Sequence, residues 1–399
     1  MHKAKLIWFV ALTMLLFSCK EKKGDSDQSS AQSPSDQILV RKDSGDFIIQ
    51  LDEFSTWDFK TLRYYEDHTA EYLFTLNPAN NSIHKYNLKG GTVVANYPFE
   101  YDGPNGVGKL DGFDLIGKDS LVLLAAYEYK LSLSNIPSGE DKPSVRSFKL
   151  YNQQDFDGFE MTTFARTSSP IFKFGNDVYM ASIPFVDGIK DTYFANGKSM
   201  TIYNVKSNSV SFENQYSELY DDGWSNAYGH MSYTYNPIKE HFVVSMPADH
   251  NLQTVSLNGS KETVELKPKT VYEIDPFRPK VLDNESNNLH MWTNPRYENI
   301  LYDKYRDVYY RIVSMPNERG RQTKDERYYP RKETIVIVLN SDLEIIGEQN
   351  LGTYYIRNQC FVGKNGLYFA QPIIEETNQM AEDKLKYVCF EFSTSNEKE

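Results

Sequence analysis

From about residue 46 onward, apolar and polar positions alternate in short runs broken by turn-forming residues. Tyr72-Leu73-Phe74-Thr75-Leu76 is an apolar run that ends at Asn77-Pro78-Ala79-Asn80-Asn81. The alternating Ile83-His84-Lys85-Tyr86-Asn87-Leu88 follows, then a Gly90-Gly91 turn and a further run over 92–97. Period-two alternation between Gly, Asn and Pro clusters marks strands with one buried face. The rhythm recurs over 121–127, 129–134, 177–183, 200–205 and 241–245, then over 307–313, 334–339, 343–348, 366–370 and 385–392. Helix-period patterning is almost absent.

These units recur about every 50–60 residues, which suits four-stranded blades, about six of them. The predicted fold is all-β: a six-bladed β-propeller of mostly four-stranded antiparallel blades. A ring of small sheets leaves only short edges and covers each blade face with its neighbour. A large β-sandwich, or two in tandem, is the alternative. No Pro/Gly/Ser-rich linker divides residues 40–390, which favours one ring. The strand expected to close it is 46–51, paired with C-terminal strands around 386–392. Excursions over 135–145, 221–235, 284–290 and 317–332 read as rim loops, where binding residues concentrate; the last mixes six basic residues with three acidic ones.

The first residues follow a different pattern. Lys3 and Lys5 precede an apolar stretch over 6–17, which runs into Leu16-Phe17-Ser18-Cys19. A basic start, a short apolar centre and a small residue before the cleavage point make an export signal. A cysteine directly after it marks a bacterial lipoprotein, cut before Cys19 and acylated there. The stretch falls short of the ~20 residues a spanning helix needs. An uncleaved anchor or an ordinary secretory signal is the alternative. Residues 19–36 are rich in Ser, Asp, Gln and Lys, too polar to repay their ordering entropy. The predicted organisation is a signal peptide over 1–18, a lipid-anchored tether over 19–36 and a single propeller over 37–395. The location expected is the outer membrane, facing the periplasm or the cell surface.

Composition sharpens this. Twenty-nine Tyr and 23 Phe suit half-buried strands, where the ring packs and a hydroxyl stays wet. A formal charge of −12 argues against nucleic acid, whose phosphates need basic stripes. Besides Cys19 there are only Cys360 and Cys389. An exported chain can oxidise such a pair, but spacing says nothing about their approach, and two buried free thiols is the favoured reading.

Three segments carry a family resemblance: Asp102-Gly103-Pro104-Asn105-Gly106-Val107-Gly108 leading to Gly112-Phe113, the aromatic and arginine-rich Tyr302-Asp303-Lys304-Tyr305-Arg306-Asp307-Val308-Tyr309-Tyr310-Arg311, and the C-terminal strand series from 337 to 392. With the lipobox, the chain resembles the domain-of-unknown-function 4221 family of Bacteroidetes lipoproteins, related to TolB-like six-bladed β-propellers. The resemblance spans nearly all of the mature chain and implies a fold, not a chemistry.

The chemistry-bearing residues are sparse. No two of the seven histidines have the i, i+4 spacing of a helical zinc site, and there is no Cys-x-x-Cys. No Gly-x-Ser-x-Gly elbow occurs, and no cofactor or metal is expected. Asp221-Asp222 and Glu375-Glu376 are paired acids of a kind that cleaves glycosides, but adjacent acids usually form a solvated face. Asp155-Phe156-Asp157-Gly158 lacks the remaining ligands of a calcium loop. The 103–108 glycines could cradle a phosphate, but no helix follows to face the anion, so a structural turn is favoured. The remaining candidates are Trp224, Tyr228 and His230 in a glycine-flanked segment, with Trp292, Arg296 and Tyr297 as a second set. Such groups stack on a sugar or clamp a peptide, or else plug a blade interface. The function expected is a non-catalytic binding or scaffold module for a protein, glycan or other extracellular ligand. An envelope enzyme acting on carbohydrate, of glycoside hydrolase or lyase type, is the alternative.

Overall fold

Short strands with one or both faces apolar can bury themselves only by stacking sheet against sheet, and this chain does so around a ring. The computed structural model describes residues 38–55, 57, 59–136, 142–150, 160–185, 194, 197–221, 223–277, 284–316, 332–374 and 381–393. Cys19 with its signal and tether, Asp155-Phe156-Asp157-Gly158, Glu375-Glu376, Asp222 and the basic stretch 317–331 lie outside the described residues.

Two N-terminal strands come first, β1 (Leu39–Arg41) and β2 (Phe47–Gln50). Blade 1 comprises β3 (Leu62–Glu66), β4 (Glu71–Asn77), β5 (Ser82–Asn87) and β6 (Thr92–Pro98). Blade 2 comprises β7 (Gly112–Leu115), β8 (Ser120–Ala125), β9 (Lys130–Asn135) and β10 (Val145–Lys149). Blade 3 is built from β11 (Glu160–Phe164), the stub β12 (Phe172–Phe174), β13 (Asp177–Phe185), β14 (Lys198–Asn204) and β15 (Ser209–Gln215). Blade 4 has β16 (Ser232–Asn236), β17 (His241–Ser245), β18 (Leu252–Ser256) and β19 (Lys261–Val264). Blade 5 follows a helix, α1 (Asn284–Thr293), with β20 (Arg296–Asp303), β21 (Val308–Ser314), β22 (Thr334–Leu339) and β23 (Ile345–Asn350). Blade 6 has β24 (Ile356–Gly363), β25 (Gly366–Gln371) and β26 (Lys384–Phe392). The fold is thus the six-bladed propeller that the strand rhythm predicted.

The N-terminus completes blade 6. β2 pairs with β26 from Phe47↔Tyr387 to Gln50↔Lys384, as expected for the closing strand. β1 adds a second contact further along β26, from Leu39↔Phe392 to Arg41↔Phe390. The Gln349 side chain clamps β1 from blade 5: its amide donates to Leu39 O (2.9 Å) and accepts from Leu39 N (2.8 Å).

The first strand of each blade is the inner one, since β16 packs on β20, β20 on β24 and β24 on β3. The apolar cores lie between blades. Leu73, Tyr86, Phe361 and Tyr387 fill the closing seam between blades 6 and 1, and Phe74, Ile83, Phe113 and Leu123 the seam between 1 and 2. Cys360 and Cys389 are buried free thiols. They sit on β24 and β26 with β25 between them, two strand spacings or about 9–10 Å, beyond the ~7 Å reach of a disulfide.

One expectation is corrected. The polar stretch 284–290, read as a loop, is the first part of α1. Its partners are tertiary, so no apolar period announces it: His290 Nε2 lies 2.7 Å from Asp275 O, and Lys332 Nζ donates to the C-terminal carbonyls of Met291 (2.6 Å) and Asn294 (3.3 Å). A lysine there also complements the helix dipole.

Candidate functional site

The inner strands of blades 5 and 6 are irregular where they begin. In β20 the register slips between Tyr297 and Asn299, leaving Glu298 as an extra residue. In β24 it slips between Ile356 and Cys360, so that Arg357, Asn358 and Gln359 have no partners on β25. An inner strand pairs along one edge only, so it can bulge without breaking a second ladder. Bulges re-aim side chains and recur beside functional sites.

Here they aim into a cavity of about 590 Å³ at the end of the ring where the inner strands start. Blade 5 lines it with Arg296, Tyr297 and Glu298, and blade 6 with Arg357 and Asn358. Lys60 comes from the approach to blade 1, and Arg166, Thr167 and Ser168 from blade 3. Ala227 and His230 precede blade 4, Pro247 follows β17, and α1 contributes Asn287 and Met291. Four cationic side chains thus face one carboxylate among the described lining residues.

That carboxylate is committed. Arg296 Nη2 donates to both Glu298 oxygens at 2.8 Å, and Arg357 Nε lies 3.9 Å from Oε1. Burial pushes the Glu298 carboxyl up, but Arg296 and Arg357 overcome it and hold the group at about 2. The excess positive field shows in its neighbours. Burial, helped by Arg166 and Arg296, drives His230 down to about 3, so its ring is neutral. Burial and then Arg296 lower Arg166. Lys332 is pushed down to about 7 by burial, with Glu298 opposing. Arg166 is solvent-accessible, with its guanidinium 5.2 Å over the Phe164 ring.

The floor is built by the loop 165–170, which reaches across the channel. Thr167 N donates to Lys60 O (3.1 Å), Leu62 N to Thr167 Oγ1 (3.2 Å) and an Arg63 Nη2 to Arg166 O (3.0 Å). On the other side Ser169 Oγ donates to Met231 O (2.6 Å) and Tyr233 N to Ser168 O (3.0 Å). A blade 3 loop is thereby tied to blades 1 and 4. Arg311, fully buried, braces Tyr297 from behind: its guanidinium stacks 3.4 Å over the ring while donating to Ser245 Oγ (2.8 Å), Asp249 O (2.6 Å) and His250 O.

The far ends of the inner strands are stitched by charge. Glu66, ending β3, accepts from Lys304 Nζ (3.0 Å) and Tyr305 OH (2.7 Å) of blade 5 and pairs with Lys364 of blade 6 (3.1 Å). Burial would raise its carboxyl, but these three donors hold it at about 2.

Of the residues singled out from sequence, Arg296, Tyr297 and His230 line the cavity. Trp292 is half-buried on α1 and is not among the lining residues. Trp224 and Tyr228 require correction as surface anchors, being 1 % and 0 % exposed. They plug the aromatic core with Tyr220, Trp224 Nε1 donating to Leu219 O (2.9 Å) and Tyr228 OH to Pro295 O (3.2 Å). Lys60, Arg166, Glu298 and Arg357 were missed. Their only sequence signal is a charge where a strand would continue its apolar alternation.

The glycine motif, and a polar cluster that only the structure brings together, both resolve as structural. The glycine loop cradles a carboxylate of this chain: Glu128 Oε1 accepts from Lys109 N (2.8 Å), and Gly108, at φ +79°, holds a left-handed backbone conformation that favours glycine beside it. Asp52, Ser55 and His84 meet without triad geometry. Ser55 Oγ gives its proton to Asp52 (2.7 Å), and both groups approach the same ring nitrogen, Nδ1, at 3.3 and 3.9 Å.

Among solved structures, a DUF4221 family member from Bacteroides vulgatus is 22% identical, with 88% of this chain and 97% of that chain covered and a TM-score of 0.74. Two are more distant. A candidate exported protein from Bacteroides fragilis is 12% identical (88% and 96% covered, TM-score 0.49), and virginiamycin B lyase from Staphylococcus aureus is 10% identical (86% and 98% covered, TM-score 0.42). No curated protein matches the chain. The profile of the "Domain of unknown function (DUF4221)" family matches residues 38–350, through blades 1 to 5; the chain belongs to the DUF4221 family.

Proposed function

We propose that this chain is a lipid-anchored envelope protein whose propeller binds an anionic ligand in the channel-mouth cavity without transforming it. The observation that carries the reading is the charge imbalance: Lys60, Arg166, Arg296 and Arg357 line one cavity whose single described carboxylate is already engaged. A carboxyl held at about 2 is ionised at neutral pH and poorly suited to general acid–base work there. Guanidinium forks are matched to planar oxyanions, and a cavity of this size accommodates a small organic molecule. The envelope location rests on the signal ending at Cys19.

Titration calorimetry at low salt tests the binding. Citrate and glutarate should bind, weaken as ionic strength rises, and lose about tenfold or more in affinity with Arg166→Ala. Binding of neutral compounds in preference to anions overturns the reading. The anchor is tested separately: Cys19→Ala should release the protein from the membrane fraction, and unchanged membrane association would refute lipidation.

A further inference from the structure

The exposed aromatic side chains among the described residues all lie on one side of the ring. Among the described residues they are Phe54, Tyr101, Tyr127, Tyr272 and Tyr354, from 44 % to 84 % exposed. Phe54, Tyr101, Tyr272 and Tyr354 sit in connections that lead into the inner strands of blades 1, 2, 5 and 6. Tyr127 lies between the second and third strands of blade 2. In an antiparallel four-stranded meander these two kinds of connection share one end of the ring, and inner strands begin at the cavity end. The aromatic side chains therefore share the face on which the cationic cavity opens, on blades 1, 2, 5 and 6, although they are spread over about 300 residues of sequence.

The lining is rich in donors. Besides its cations it offers Asn287, Asn358, Thr167 and Ser168, with Ala227, Pro247, Met291 and Tyr297 supplying apolar surface. Its one described carboxylate is taken up by arginine, so none of the described lining residues offers a free acid to a ligand ammonium. The matching ligand is therefore rich in acceptors, carries negative charge, and has an apolar face. The cations come from blades 1, 3, 5 and 6, so the charge is spread around the mouth and not focused on one point. No glycine-rich backbone nest, a usual phosphate cradle, contributes to the described lining. A sugar acid has all three required properties: a carboxylate, ring hydroxyls and ether oxygens, and C–H faces that lie on aromatic rings. Peptides offer as many N–H donors as acceptors. The overall charge of −12 repels long polyphosphate.

We propose, resting on the anion-binding reading above, that the cavity receives a carboxylated sugar at the end of a glycan, with the next residues lying on the rim aromatics. Calorimetry on the full mature chain separates the possibilities. The probes are glucuronate, galacturonate, N-acetylneuraminate, tri-galacturonate, glucose, glucose 6-phosphate, a short oligo-dT and an acidic hexapeptide. At least one sugar acid should bind, and glucose should be weaker by about tenfold or more, as should every ligand on Arg166→Ala. Tyr127→Ala and Phe54→Ala should weaken tri-galacturonate and leave the monosaccharide unchanged. Tighter binding of glucose 6-phosphate, oligo-dT or the peptide than of any sugar acid, still dependent on Arg166, overturns the sugar-acid assignment while the anion cavity stands. Equal affinity for tri-galacturonate and galacturonate, unaffected by the rim variants, overturns the chain-end placement. Failure of every anion, citrate included, removes both readings.

Discussion

In blades 5 and 6 the second strand and the first differ in a way that separates stability from recognition. β21 reads Val-Tyr-Tyr-Arg-Ile-Val-Ser, buried at every position, and keeps an unbroken register with β22. Its neighbour β20 carries Arg296 and Glu298, slips register between them and Asn299, and lines the cavity. Blade 6 repeats the contrast, with a regular, almost wholly buried β25 beside a β24 interrupted by Arg357, Asn358 and Gln359. A second strand has hydrogen-bonded neighbours on both edges and a blade against each face, so any irregularity breaks two ladders and two packed surfaces. The first strand has one unpaired edge facing the channel. Irregularity is cheaper there, and the aimed polar groups gather there.

Four measurements would break or sharpen this contrast, beginning with the largest effect. Core truncations should fall on stability alone: Trp224→Ala should cost about 3–5 kcal/mol and Ile312→Ala, in β21, about 2–5 kcal/mol, read as a lowered denaturant midpoint. A small loss for Trp224→Ala would return that residue to the surface and undo its place in the core. Next comes Glu298→Gln, which leaves the Arg296 and Arg357 guanidiniums without their anion. Breaking a buried pair costs about 3 kcal/mol or more, and no change in thermal stability would mean that the bulge in β20 is an idle edge defect.

Acid should expose the same two carboxylates. Glu66 and Glu298 are both held at about 2, below the ordinary carboxyl value. Their contribution is therefore complete above the unfolded value of about 4.3 and is lost as pH falls toward 2. Urea midpoints should begin to decline below about pH 6.5, where the unfolded chain protonates the His230 that the fold holds at about 3, and should decline further below about 4.3 from the two carboxylates, this second decline being shallower in Glu298→Gln. A decline of equal slope in the variant would assign the acid sensitivity elsewhere. The smallest stability effect is expected for Arg166→Ala. Arg166 is an exposed residue whose loop is held through backbone groups, so melting should shift within the range of about 0.5 kcal/mol typical of surface changes, while anion affinity falls. A large destabilisation would make Arg166 a structural group of the channel-crossing loop.

The runs over 72–76, 83–88, 121–127, 200–205, 241–245 and 334–339 correspond to β4, β5, β8, β14, β17 and β22, all second or third strands. They were legible because each has ladders on both edges and blades packed against its faces, which fills it with apolar residues: β22 is buried at every position and β8 at all but the first. The 46–51 strand that closes on β26 was legible from its own alternation, with Ile49 buried between the exposed Ile48 and Gln50. The first strands were not. β3, β11, β20 and β24 are short, polar or bulged, and a single extra residue reverses the parity on which a period-two reading depends. Helix α1 was hidden because its stabilising partners, Lys332 and Asp275, lie outside it.

What the amino-acid sequence determined by itself was thus the scaffold: all-β, repeated and closed by its own N-terminal strand. Those properties are written in local patterns of burial and turn chemistry, which neighbouring residues share. The cavity was decided only in three dimensions. Lys60, Arg166, Arg296 and Arg357 span almost 300 residues of chain and have no common motif. Ring closure alone brings them to one mouth, and it buries Trp224 and Tyr228 in a core that their glycine-flanked segment had made look like a surface. Coulombic and packing interactions depend on distance through space, and a ring makes distant segments neighbours without leaving a trace in their spacing.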